Sequence, residues 1–66
     1  MGTKIMDVTV TTELPPAEAM ALAQLVKRLS WSEMRACAVD DDETYLIKAA
    51  VHKLQQSLAD AGYNPR

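Results

Sequence analysis

The chain has 66 residues, 48% of them apolar and 24% charged, with seven Lys or Arg against nine Asp or Glu and a net charge of −2. That balance supplies no electrostatic footprint for nucleic acid and no polybasic attraction to a membrane, and the composition is that of a folded globular domain rather than a disordered chain. A single domain of this size hides only about 60% of the surface its unfolded chain exposes, so it needs a staple. The lone Cys37 excludes an internal disulfide, and the lone His52 leaves a nitrogen and sulfur zinc site incomplete, which makes a partner chain the expected staple.

No apolar run approaches the length of a membrane span, and the opening MGTKIM is too polar for a signal peptide. A myristoylation signal would want Ser or Thr where Met6 stands. Met1 to Ile5 therefore read as a candidate leader, with Met6 the natural start of a cytoplasmic protein.

In "MDVTVT", residues 6–11, Met6, Val8 and Val10 alternate with Asp7, Thr9 and Thr11, the period of a half-buried strand rich in β-branched residues. The period then changes. Over residues 16–29, Ala19, Leu22, Leu25, Val26 and Leu29 recur at helical spacing, with Pro16 at the first helical position, Glu18 in the first turn, and Lys27 and Arg28 complementing the dipole at the other end. Ser30 followed three residues later by Glu33 is a capping box that starts a short helix over 31–38. Asp40 or Asp41 caps a third helix over 41–61, on which Ile47, Ala50, Val51, Leu54, Leu58 and Ala61 form one apolar stripe. Gly62 ends it cheaply in the left-handed conformation, Tyr63 folds back onto Leu58, and Pro65 forbids continuation. The expected fold is mainly α with one short N-terminal strand, β-α-α-α, in a single domain spanning residues 1–66.

The acidic run Asp40 to Glu43 invites a metal reading. Calcium loops, however, space their carboxylates at alternate positions around a glycine, and four successive residues entering a helix fan out by about 100° each, so they do not converge on one ion. Helix starting is the expected role. Trp31 is expected to pack at the corner between the first two helices and Cys37 to be a small buried hydrophobe; no spacing ties a base to its thiol. His52 falls opposite the apolar stripe, on a line with Tyr45, Ala49 and Gln56 that reads as a solvated face, with a contact surface as the sharper alternative. No phosphate loop, serine elbow or glycosidase-like carboxylate pair is present, so no catalytic, cofactor-binding or metal-binding residue is assigned and no enzyme activity is expected.

A lone strand needs a partner for its backbone groups, and the chain offers no second one. The economical solution is a two-fold homodimer in which Met6, Val8 and Val10 pair antiparallel with their copies and are buried over the helices. Ribbon-helix-helix repressors use that arrangement, but their strand reads DNA with polar and basic side chains, and Asp7, Thr9 and Thr11 would face outward here. A helix-turn-helix would place an acidic first turn against phosphate.

The segments "ALAQLVKRLSWSEMR", "AVDDDETY" and "AGYNPR" together resemble a family of short uncharacterised bacterial proteins found on mobile elements and phage-derived regions. Its parts are a helix ending in Lys-Arg, a Trp-Ser corner, an Asp-rich cap ahead of a tyrosine, and a Gly-Tyr-x-Pro-Arg tail. The resemblance implies a bacterial accessory protein or inhibitor acting on a host protein, without an activity to carry over. The expected function is that of a non-enzymatic interaction protein, with Asp41, Asp42, Glu43, Tyr45 and His52 as the candidate partner contact; the alternative is a DNA-binding regulator of ribbon-helix-helix type.

Overall fold

A computed structural model of the chain describes residues 7–65, and the chain is mainly helical. Three helices follow one another: α1, Pro16–Arg28; α2, Trp31–Ala36; and α3, Asp41–Asp60. Pro15 and Pro16 open α1 without a side-chain cap, as a first turn whose N–H groups have no intrahelical partner tolerates proline. Glu18 lies in its first turn and Lys27 and Arg28 in its last. Leu29 then turns to extended backbone, and the chain restarts at Ser30 in a new direction.

α3 is the spine, packing against both α1 and α2. Ala19, Ala23 and Val26 of α1, Met34 of α2, and Thr44 and Leu58 of α3 are buried, with Leu22, Val51 and Tyr63 leaning on the cluster of Ala23, Val26 and Leu58. Ala23 is the most enclosed of the apolar residues, since a small side chain lets the α1 and α3 backbones approach. Large apolar side chains in this set are few. At roughly 1.5–3 kcal/mol for each one fully buried, against about 1–2 kcal/mol of backbone entropy per ordered residue, such a core is marginal.

The C-terminus of α3 closes in a Schellman motif. Gly62 takes φ 100° and donates its N–H to Ala59 O at 2.9 Å, while Tyr63 N–H reaches Leu58 O at 2.8 Å. Tyr63 thereby packs beside Leu58, and Lys27 donates to the carbonyl of Pro65, fastening the tail to the end of α1.

Several expectations need correction. Residues 7–15 are neither helix nor strand and all are exposed, Val8 by 85% and Val10 by 80%; Met6 lies outside the described residues. A strand is defined by its ladder, and a single chain gives this segment nothing to pair with. α2 stops at Ala36, short of the expected 38. Of the apolar stripe on α3, Leu58 is buried and Ile47 and Val51 are half-buried, but Ala50, Leu54 and Ala61 are exposed; on α1, Leu25 is exposed. α1 and α2 lie over one side of the stripe and leave its other edge uncovered.

Candidate functional site

Both corners flanking α2 are built from side-chain caps. Ser30 N–H donates to Glu33 Oε1 at 2.9 Å, and Glu33 N–H donates to Ser30 Oγ at 3.3 Å, which completes the capping box. The Ser30 backbone N–H, and then its hydroxyl, hold the Glu33 carboxyl below its ordinary value. Trp31, in the first turn, lies against Tyr45 of α3 with ring centroids 4.8 Å apart and planes tilted by 58°. The indole thus joins α2 to α3, a contact between helices beyond the expected packing at the corner of α1 and α2.

At the second corner Asp40 is the N-cap: its Oδ1 accepts from Glu43 N–H at 2.8 Å, and its carbonyl accepts from Thr44 N–H at 3.2 Å and Thr44 Oγ1 at 2.9 Å. Thr44 is wholly buried, and these bonds satisfy it. Glu43 Oε1 reaches back to accept from Val39 N–H at 3.3 Å. Asp41 accepts from Arg35 Nε at 2.7 Å, while Arg35 Nη1 donates to Ala38 O at 3.2 Å. Three of the four carboxylates therefore have local work, and among the described residues Asp42 has no such bond. The Arg35–Asp41 pair is exposed and adds little stability. Among the described residues no group of three metal-ligating side chains converges.

Cys37 is exposed at the C-cap of α2, against the expectation of a buried thiol. α2 ends at Ala36, one residue before Cys37, and Met34 is the side chain of this helix that is buried.

Between the end of α1, α2 and α3 runs an open groove of about 490 Å³. Val26, Leu29, Met34, Ala49 and Val51 give it an apolar floor, and Lys27, Lys48 and His52 give it a rim without a lining carboxylate. Tyr45 and His52, two of the candidate contact residues, both line this groove; Asp41, Asp42 and Glu43 do not. The residues missed by sequence reasoning are Lys48 and Gln55, whose signal was available: 45, 48, 52 and 55 recur at helical spacing on one face of α3. The groove suits an extended or helical segment that offers apolar side chains to the floor and carboxylates to the rim.

The capping role of Asp40 gives a direct expectation. Asp40→Ala should cost about 0.5–2 kcal/mol, read by urea unfolding, because Glu43 N–H loses its acceptor. Millimolar calcium should leave the wild-type melting temperature unchanged; a rise would reinstate a cation site at this corner.

No curated protein and no solved structure matches the chain. One family does, described as Family of unknown function (DUF7706), over residues 1–66, and the chain belongs to that family.

Proposed function

We propose that this chain is a non-enzymatic interaction protein that works as a homodimer and holds a segment of another protein in the groove between α2 and α3. The observation that carries this reading is the groove itself, apolar in its floor and basic at its rim.

Tyr45 supplies a rigid aromatic anchor, and His52 and Lys48 adjustable polar contacts. If the resemblance to short bacterial mobile-element proteins holds for this chain, a host protein in the cytoplasm is the partner that fits an accessory or inhibitor role. The sequence offers one route to the dimer, antiparallel pairing of residues 7–11 with their copies.

The test is capture of the partner from extract of the native host, followed by calorimetric titration with the purified partner. Tyr45→Ala should weaken binding roughly tenfold or more, and Lys48→Glu should weaken it in a salt-dependent manner. Unchanged affinity in Tyr45→Ala would remove the groove from the interface. A ribbon-helix-helix regulator is the second reading, favoured by an extended segment placed ahead of the helices; specific retardation of promoter DNA at low salt would put it first.

A further inference from the structure

We infer that the segment held in the groove is an acidic amphipathic helix, which lays its apolar side chains on the floor and sets carboxylates one turn apart against Lys48 and His52. This rests on the reading of the groove as the place where a partner is held, and adds the conformation and the charge of what lies there. Past His52 and Gln55 the groove continues into a second, polar depression of about 290 Å³ bounded by Gln56, Ala59 and Asn64. From Tyr45 to Ala59 the wall formed by α3 runs about 21 Å, the length of a helix of about four turns.

Backbone chemistry selects the conformation. That long wall lies inside α3, whose N–H and C=O groups bond to one another. An extended segment lying along it would find no ladder for its own backbone, whereas a helical segment arrives with its backbone groups already paired. Charge selects the composition. Lys48 and His52 are both exposed and stand four residues apart, about 6 Å along the helix axis, which is the spacing of carboxylates one turn apart on a facing helix. None of the nine carboxylate side chains of the chain borders either part of the groove. Asp41 stands on the same line one turn before Tyr45, but it is paired with Arg35, and among the described residues Lys48 has no ion-pair partner. Lys27 meets the neutral carbonyl of Pro65, which leaves its charge uncompensated at the same rim. A basic segment would set like charges together over an apolar floor, and an uncharged one would leave the rim unmatched.

The experiment selects peptides long enough for about four helical turns from a random displayed library on the immobilised full chain, and repeats the selection on Lys48→Glu and on Tyr45→Ala. Peptides enriched on the wild-type chain should carry large apolar residues at i, i+3 or i+4, and i+7, with Asp or Glu flanking them at one-turn spacing. They should bind Lys48→Glu roughly tenfold or more weakly, and selection on that variant should turn from acidic to basic residues. Position 48 is exposed, so circular dichroism should show the variant as helical as the wild type. Peptides that need Tyr45 but show no acidic bias, or that carry proline within the apolar run, would overturn the acidic helix while leaving the groove as the binding place. Peptides indifferent to both substitutions would overturn the groove reading itself. Enrichment no greater than on a blank surface would overturn both.

Discussion

Leu58→Ala is expected to remove about 2–5 kcal/mol of stability, the transfer free energy of the lost atoms together with the cavity they leave. For a chain of this length the whole stability is about 3–10 kcal/mol, so the variant stands at or below its unfolding threshold at 25 °C. The size of the effect follows from position. Leu58 is the only large apolar side chain of α3 that is buried; it meets Ala23 and Val26, and its carbonyl also accepts the Tyr63 N–H that closes the helix. Truncation therefore loosens the α1 contact and the platform on which Tyr63 packs. Urea unfolding followed by circular dichroism reads the change. A loss below about 1 kcal/mol would mean that the α1–α3 contact is not where stability resides, and would move the main core to the interface between copies. Concentration dependence separates the cases, since a core within one chain gives a midpoint independent of protein concentration and a core between chains does not.

What the sequence made legible was local. Ser30 with Glu33, the Asp40 cap and the Gly62 turn are each set by residues within a few positions of one another, and side-chain capping acts at that range. Burial was legible only in part, because it depends on which side of a helix its neighbours cover. The apolar stripe of α3 is wider than the strip that α1 and α2 shield, so half of it reads as core in the sequence and lies exposed in the chain. Ala23 and Thr44 were overlooked for the opposite reason: pattern reading weights large apolar residues, whereas a close helix crossing wants an alanine and a buried corner accepts a threonine whose hydroxyl is bonded to Asp40. The Trp31–Tyr45 contact was not legible because the two residues are fourteen positions apart and periodicity within one helix carries no information about contacts between helices. The groove was legible only as a mixed line through Tyr45, Ala49 and His52, since Val26, Lys27, Leu29 and Met34 of its lining come from α1, α2 and the turn that joins them.

Met34→Ala should release α2 from the rest of the chain without unfolding it all. α2 has six residues, too few to persist alone in water, and Met34 is its only buried side chain. What else holds it is the Ser30–Glu33 capping box, which is internal to the element, the partly exposed Trp31–Tyr45 contact, and the exposed Arg35–Asp41 pair. Truncation of a buried methionine costs about 2–5 kcal/mol if the surroundings stay in place, but an element this small escapes that cost by undocking, so the loss is capped at its own docking free energy. The expected signature is regional. Trp31 emission should shift to the red as the indole leaves Tyr45, trypsin should cut faster at Arg35, and helical dichroism should fall by no more than α2's share, while the α1–α3 core unfolds near its original urea midpoint. Because Met34 is part of the groove floor, the same variant should lose partner binding even though it keeps Tyr45, Lys48 and His52 on α3. Unchanged emission and unchanged trypsin sensitivity would mean that α2 is held by something other than Met34. A variant that undocks α2 and still binds would place the interaction surface on α3 alone.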